Sequence, residues 1–309
     1  MDIKAYLKDK RELVDSYLRS YFSVPYKPTY LHDAMTYSLF AGGKRIRPIL
    51  ALASYEACGG EAEHILPQAA ALELIHTYSL IHDDLPSMDN DDLRRGKPTN
   101  HRVFGEAIAI LAGDALLTEA FTMITQMNLN TSTASQHGVK RFSKRSITPS
   151  PLLRVVHQVS DAAGAHGMVG GQAQDILSET TEPDRETLKF IHLHKTAALI
   201  KASVTIGPIL AKSKTTVLKA LMAYGENIGL AFQVIDDILD VEGTTEELGK
   251  TAGSDQKKKK LTYPGVCGME KSRSIAEGLI ATAIDSLKVF SSDADPLREI
   301  ANYLLKRRT

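Results

Sequence analysis

Residues 230–240 read Leu-Ala-Phe-Gln-Val-Ile-Asp-Asp-Ile-Leu-Asp, an apolar segment that contains three aspartates. A helix advances by about 100° per residue, so Asp236, Asp237 and Asp240 would share one face of an otherwise apolar helix. Carboxylates at this spacing repel one another and need a positive partner. Hard divalent cations prefer oxygen ligands, and the segment therefore predicts a metal site on an apolar helix.

A second acidic cluster follows another apolar stretch. Asp83 and Asp84 come directly before Pro86, where a helix should end, and Asp89 follows in the next turn. Negative charge at a helix C-terminus is unfavourable, so this cluster also needs a cation. Solvated helix ends are the usual alternative, which we accept for residues 91–92 but not for two clusters that end two apolar helices.

The rest of the chain has the same helical periodicity. Apolar residues follow a helical stripe over residues 3–18, and residues 69–82 and 217–239 are long apolar stretches without strand-like alternation. We therefore predict an all-α protein of a single domain spanning residues 1–309. Gly and Pro mark the predicted helix ends, among them Gly170-Gly171 and Gly207-Pro208. Residues 128–151 are rich in Ser and Thr and predict a loop or a disordered insert.

Composition excludes several classes of protein. The 309 residues carry 37 basic and 37 acidic side chains, so nucleic acid is not an expected partner. Two cysteines are too few for a disulfide framework. The longest apolar run, residues 107–112, is far shorter than the roughly 20 residues of a membrane span. Without a secretory signal pattern at the N-terminus, we expect a cytoplasmic protein with no membrane span.

Basic residues recur near the acidic clusters and at predicted helix ends. Each alone would be an ordinary surface charge, but together they are suited to two diphosphate groups. His76 would lie on the helical face of Asp83, where a core role and a site role are equally compatible with the sequence. The other basic candidates are Lys44 and Arg47, three residues apart on one predicted helical turn, with Arg94, Arg95, Lys195, Lys250 and Lys260.

Five segments, in this order along the chain, resemble the motif regions of trans-isoprenyl diphosphate synthases, most of all the bacterial farnesyl diphosphate synthases. The match covers roughly residues 30–127 and 164–265, and paired Asp-rich motifs make it specific. Residues 128–151 depart from the family, which is largely helical there. The segments are Gly42-Gly43-Lys-Arg-x-Arg-Pro48, Leu74 to His101, His194-Lys195-Thr196, Phe232-Gln233-x-x-Asp-Asp-x-x-Asp and Lys260-x-Thr-Tyr-Pro264.

The resemblance implies a single helical bundle around a deep central cavity, a homodimer, and Mg²⁺-dependent condensation of isopentenyl diphosphate with dimethylallyl or geranyl diphosphate. It implies that Mg²⁺ is held by Asp83, Asp84, Asp89, Asp236, Asp237 and Asp240. It assigns the allylic diphosphate to Arg94, Lys195, Thr196, Gln233, Lys250 and Lys260, and isopentenyl diphosphate to Lys44, Arg47, His76 and Arg95.

The resemblance also bears on product length. In the family an aromatic side chain shortly before the first aspartate closes the cavity. Tyr78 and Ser79 lie five and four residues before Asp83. We therefore expect farnesyl diphosphate, a C15 product, although Tyr78 is equally compatible with an ordinary core role. Geranylgeranyl diphosphate synthase and a noncatalytic subunit of a heteromeric prenyl synthase are the alternatives.

Three other classes of protein explain less of the sequence. A His-Asp phosphohydrolase would use His76, His82 and Asp83 but leaves the aspartates of residues 236–240 unexplained. A di-iron bundle would need four helices with inward-facing Glu, which are not evident. A terpene cyclase would usually carry an Asn/Ser/Glu triad in place of residues 236–240.

Overall fold

Apolar helices make up most of this computed structural model, which describes residues 1–126, 149–178, 184–242 and 261–306. The prediction of an all-α fold is confirmed. The α-helices are α1 (Ile3–Tyr21), α2 (Thr29–Leu39), α3 (Ile46–Ala57), α4 (Leu66–Asp83), α5 (Asn100–Phe104), α6 (Glu106–Ile124), α7 (Pro149–Ala163), α8 (Met168–Ser178), α9 (Arg185–Ile191), α10 (Ala198–Leu210), α11 (Thr215–Glu242), α12 (Tyr263–Cys267), α13 (Met269–Ser286) and α14 (Asp295–Lys306).

Shorter elements connect these helices. A π-helical turn, His192–Ala197, joins α9 to α10, and short 3₁₀ turns lie at Ala62–Ile65, Leu287–Val289 and Ser292–Ala294. One small hairpin pairs β1 (Leu93–Arg94) with β2 (Lys97–Pro98) in antiparallel register. Positive φ angles at both hairpin-loop residues, 54° at Arg95 and 74° at Gly96, suit the right-handed twist of such a hairpin.

The core has two apolar parts. In the first, α4 packs against α6, with α1 and α2 at its sides; in the second, α11 packs against α10 and α13. Buried side chains such as Leu72 and Leu74 on α4, and Tyr224 and Val234 on α11, belong to these two parts respectively. The predicted helical stretches 69–82 and 217–239 are thus the main core helices, and each carries one aspartate cluster near its C-terminal end.

Two predicted helix breaks lie inside helices. Gly170 and Gly171 lie within α8, where a Cβ on Gly171 would lie 2.1 Å from the backbone nitrogen of Lys195. The glycine therefore permits a close approach of two segments. Pro208 lies within α10 near its C-terminus, where the missing N–H costs a single hydrogen bond to the carbonyl of residue 204.

The predicted insert at residues 128–151 is only partly described. Helix α7 begins at Pro149, so the last three residues of that range are helical and the predicted loop was too long at this end. The remaining residues of the insert lie outside the described part of the chain.

Helix α6 is the one described helix that is long and apolar enough to cross a membrane by length and composition. A core helix passes the same test, and α6 packs along α4 and contacts α2 and α5. The absence of a membrane span therefore stays a prediction.

Candidate active site

A cavity of about 1250 Å³ lies between the two core helices that carry the aspartates. Asp83, from the end of α4, and Asp236, from α11, both line it. The sequence separates these residues widely, but the bundle brings them to one void. Ile110, Met168, Val169, Ile176 and Phe232 add apolar surface to the walls.

The first aspartate cluster divides into two roles. Asp83 is partly exposed to the cavity, whereas Asp84 is 3% exposed and accepts hydrogen bonds from Nε of Arg94 at 2.8 Å and 3.1 Å. Burial raises the pKa of Asp84, and the guanidinium of Arg94 opposes that rise. Asp89 folds back, its backbone N–H bonding the carbonyl of Asp83 at 2.8 Å. Asp84 thus orients Arg94 at the cavity edge, while Asp83 faces the cavity itself.

The second cluster differs from the expectation of three carboxylates facing one metal. Asp236 is the member that lines the cavity, while Asp240 is buried. Asp237 is 2% exposed and accepts hydrogen bonds from Nε2 of Gln233 at 3.0 Å and the backbone N–H of Tyr263 at 2.9 Å. The rotation of about 100° between adjacent helical residues carries Asp237 away from the cavity wall. Its carboxylate ties α11 to the start of α12.

Lys195 and Thr196 reach the cavity from the π-helical turn. Nζ of Lys195 donates to Oδ2 of Asp175 at 2.6 Å, and the Thr196 hydroxyl donates to Oε1 of Gln233 at 2.8 Å. Asp175 lies on α8 and was not among the predicted site residues. Gly170 and Gly171 predict a helix break in the sequence, so local patterns do not indicate that Asp175 shares a helix with the glycine that packs on Lys195.

The predicted isopentenyl diphosphate residues line the same cavity: Lys44, Arg47, His76 and Arg95. Arg47 is 8% exposed, and its Nε has no hydrogen-bond partner among the described residues, as expected of a group that receives an anion. Burial, together with Arg47 and Arg95, holds the pKa of His76 well below its ordinary value. His76 is therefore a neutral imidazole in this cationic surrounding.

Lys44 and Arg47 do not share a helical turn as predicted. Helix α3 begins at Ile46, and Lys44 belongs to the loop before it. The guanidinium of Arg95 packs on Gly43, where a Cβ would lie 2.8 Å from its Nη1, and it bonds the carbonyl of Gly42. Glycine suits this position because its φ of 134° would strain other residues, and because a Cβ would displace the guanidinium of Arg95.

Tyr78 and Ser79 lie on the cavity wall contributed by α4. Tyr78 is buried, and its ring meets the imidazole of His82 edge-on at a centroid distance of 5.8 Å. The Ser79 hydroxyl is bonded to the carbonyl of His76 within the helix at 3.0 Å. Lys250 and Lys260, the two remaining predicted residues, lie outside the described part of the chain.

The donor atoms at this cavity suit Mg²⁺ only in combination with a substrate. The described residues contain no group of three His, Cys, Asp or Glu side chains placed to hold a metal by themselves. Mg²⁺ commonly takes one or two carboxylates and completes its shell with water and substrate phosphates. Asp83 and Asp236, which line one cavity with several cations, fit that pattern.

Comparison with known proteins assigns the family. The family model described as polyprenyl synthetase matches residues 28–296. The chain belongs to the polyprenyl synthetase family. As expected for a member, it is a trans-prenyltransferase, and the resemblance found in the motifs is confirmed.

Individual relatives agree with this assignment. The chain is 48% identical to the heterodimeric geranylgeranyl pyrophosphate synthase large subunit 1 of Arabidopsis thaliana, over 99% of this chain and 80% of that protein. It is 46% identical to a geranylgeranyl diphosphate synthase of Cyanophora paradoxa, over 99% and 97% of the two chains. The crystal structure of a FPP/GFPP synthase from Zymomonas mobilis superposes with a TM-score of 0.81 at 35% identity, covering 98% and 99% of the two chains.

Proposed function

We propose that this polyprenyl synthetase elongates an allylic diphosphate with isopentenyl diphosphate and that its main product is geranylgeranyl diphosphate. The observation that supports the proposal is the single cavity lined by Asp83, Asp236 and cations predicted for both diphosphates. Two diphosphate groups need two cationic subsites, and an alkyl transfer between them needs an apolar, water-poor space.

Product length is the finer part of this proposal. Two of the three relatives described above are named for geranylgeranyl diphosphate. The cavity of about 1250 Å³ exceeds the roughly 300–1,000 Å³ of common small-molecule pockets, so it has room for two diphosphate substrates together. Tyr78 on the cavity wall supports the second candidate, farnesyl diphosphate, because a buried aromatic ring there would shorten the space for the growing chain.

The side chains of the cavity serve distinct steps. Arg94 and Lys195, held by Asp84 and Asp175, would bind the allylic diphosphate and stabilise the charge that develops on the leaving pyrophosphate. Arg47 and its neighbours would hold isopentenyl diphosphate with its double bond near the allylic carbon. The apolar walls exclude water, so the double bond rather than water attacks the allylic cation.

The proposed reaction also needs a bound Mg²⁺ and a base that removes the final proton. Asp83 and Asp236 would hold Mg²⁺, which when bound neutralises diphosphate charge and makes pyrophosphate a better leaving group. After the new carbon–carbon bond forms, one proton must leave the condensed cation. The released pyrophosphate, kept in the cavity by Arg94 and Lys195, is the proposed base, so the chain need not supply one.

The test is a product assay with the purified full chain. Isopentenyl diphosphate is mixed with dimethylallyl, geranyl or farnesyl diphosphate, with and without Mg²⁺, and the dephosphorylated products are separated by chromatography. A Mg²⁺-dependent C20 product is expected with all three primers. A C15 product that is not extended would favour farnesyl diphosphate synthase, and no elongation would favour a noncatalytic subunit.

Assembly as a homodimer remains a proposal derived from the family resemblance. One relative is named as the large subunit of a heterodimer, so a second type of subunit is the alternative. Light scattering on the purified chain gives the mass directly. About twice the monomer mass is expected, with elongation activity in the same fraction.

A further inference from the structure

Arg45 borders the same cavity as Lys44 and Arg47, but its guanidinium is turned into the protein. It is only 3% exposed, and its partner Glu73 also borders the cavity. Its guanidinium donates from Nε to Asp15 at 2.8 Å, from Nη1 to Glu73 at 2.8 Å and from Nη2 to the carbonyl of Leu39 at 2.7 Å. These partners belong to α1, α4 and α2, so one side chain joins three helices beneath the loop.

The backbone of Arg45 is also unusual. It has a φ of 52° and a ψ of 33° at the N-cap of α3, a left-handed conformation that favours glycine. A side chain persists in this conformation only where its surroundings fix it, and the three hydrogen bonds of the guanidinium provide that constraint. This residue is the point at which the chain turns from the loop with Lys44 into the helix with Arg47.

Glu73 gives the buried contact an electrostatic role. Its side chain is 2% exposed and lies one helical turn before His76 on α4. Burial lowers the pKa of Arg47 and Arg95, and attraction from Glu73 partly offsets this. Glu73 therefore acts on three guanidinium groups. If Arg45 did not bind it, the carboxylate would draw Arg47 or Arg95 toward α4 and away from an incoming anion.

We propose that Arg45 is a positioning residue for the isopentenyl diphosphate subsite, acting through its buried contact with Glu73 and its partly buried contact with Asp15. It fixes the loop that presents Lys44 and occupies Glu73, so that Arg47 and Arg95 stay available to the diphosphate. This inference rests on the proposed function. It predicts an effect on one substrate and not on the other, because Arg94 and Lys195 are held by different partners.

The experiment uses isopentenyl diphosphate alone as a binding probe, since without an allylic partner it is not consumed. Calorimetry on the full-length Arg45→Met variant should show binding weakened about 10- to 100-fold, the effect expected of a misplaced binding group. The KM for geranyl diphosphate should stay unchanged. Arg102→Met is the matched control, because its ion pair with Asp92 is exposed, and it should bind the probe as the parent does.

A double variant separates an effect on substrate binding from an effect on the stability of the fold. Arg45→Met leaves Glu73 buried without its partner, which destabilises a fold. The double variant Arg45→Met/Glu73→Met removes both charges, and its thermal unfolding temperature should return toward that of the parent. Its isopentenyl diphosphate binding should stay weaker than that of the parent because the loop with Lys44 is still not fixed, although the Glu73 carboxylate then no longer competes for Arg47 and Arg95. Arg45→Lys keeps the charge but cannot make all three hydrogen bonds of the guanidinium, so it should also bind isopentenyl diphosphate weakly. It provides the test if the methionine variants do not fold.

Several outcomes would overturn the inference. It fails if the stable double variant binds isopentenyl diphosphate as tightly as the parent, or if all the folded variants lose both substrates to the same degree. If the parent chain itself binds no isopentenyl diphosphate, the proposed function fails and the inference with it. If the parent binds and Arg45→Met binds equally well, the inference alone is wrong.

Discussion

Nζ of Lys195 and Oδ2 of Asp175 lie 2.6 Å apart across the contact between the π-helical turn and α8. Asp175 is buried and Lys195 is partly exposed to the cavity. The carboxylate thus fixes the ammonium group at the point where the allylic diphosphate is proposed to bind. A carboxylate so near an anion site has to act either as a support for the lysine or as a competitor for it.

Replacing Asp175 distinguishes these two roles. In Asp175→Ala the ammonium loses its fixed position, and the KM for geranyl diphosphate should rise about tenfold, the scale of one lost positioning contact of about 1.4 kcal/mol. Steady-state kinetics at saturating isopentenyl diphosphate measure this. Asp161→Ala, at an exposed ion pair with His166, is the control. A lower KM would show that Asp175 competes with the substrate for Lys195.

The two adjacent aspartates of α11 should behave differently. Asp236→Asn removes a carboxylate from the cavity and should lower kcat about 100-fold or more and raise the Mg²⁺ concentration needed, with little change in stability. Asp237→Asn changes a buried acceptor of two hydrogen bonds and should lower the unfolding temperature. The two variants are compared by measuring kcat at increasing Mg²⁺ concentration and by measuring the thermal unfolding temperature. Equal effects on both measurements would contradict this division of roles.

Tyr78 should limit product length. Tyr78→Ala removes a buried ring from the cavity wall and should shift the products toward chains longer than those of the parent, as read by chromatography. Tyr78→Phe keeps the ring and should leave the distribution unchanged. If the alanine variant makes the same products as the parent, Tyr78 is an ordinary core residue.

His76 should make the fold less stable in mild acid. Its pKa is held well below 6.5 in the folded protein, whereas the unfolded chain takes up the proton near pH 6.5, so stability is lost as the pH falls below that value. The loss is at most about 1.4 kcal/mol per pH unit. The thermal unfolding temperature of His76→Gln should therefore depend less on pH than that of the parent. The useful range is about pH 5.5 to 7.5, roughly one unit on each side of the ordinary histidine pKa. The exposed His166→Gln is the control, and an equal pH dependence in all three proteins would rule the effect out.

Gly171 on α8 and Gly278 on α13 allow a controlled comparison of two Gly→Ala substitutions within helices. A Cβ at Gly171 would lie 2.1 Å from the backbone nitrogen of Lys195, so Gly171→Ala should destabilise the fold by about 1–3 kcal/mol and impair the allylic site. Nothing lies within 4 Å of a Cβ at Gly278, so Gly278→Ala should stabilise the fold by about 0.4–1 kcal/mol. Denaturant unfolding measures both. A neutral Gly171→Ala would show that α8 can move away from the π-helical turn at no cost.

Much of the architecture follows from local patterns. The helical stretches at 69–82 and 217–239 have apolar residues at helical spacing over many turns, which few other structures accommodate. Local propensity wrongly predicts helix ends at the glycine pair of α8 and at Pro208 of α10. It does not record the close approach of another segment to Gly171, which depends on tertiary packing, or that Pro208 lies only two residues before the end of its helix.

The sequence by itself determined an all-α protein with two aspartate clusters, each ending an apolar core helix, and the family motifs that name its chemistry. The tertiary structure decided which of those carboxylates the cavity receives. Asp83 and Asp236 reach it, whereas Asp84 and Asp237 are turned to Arg94 and Tyr263. Periodicity places a residue on a helix face, but its partner depends on which distant segment packs against that face, and this information lies in the packing of the whole bundle.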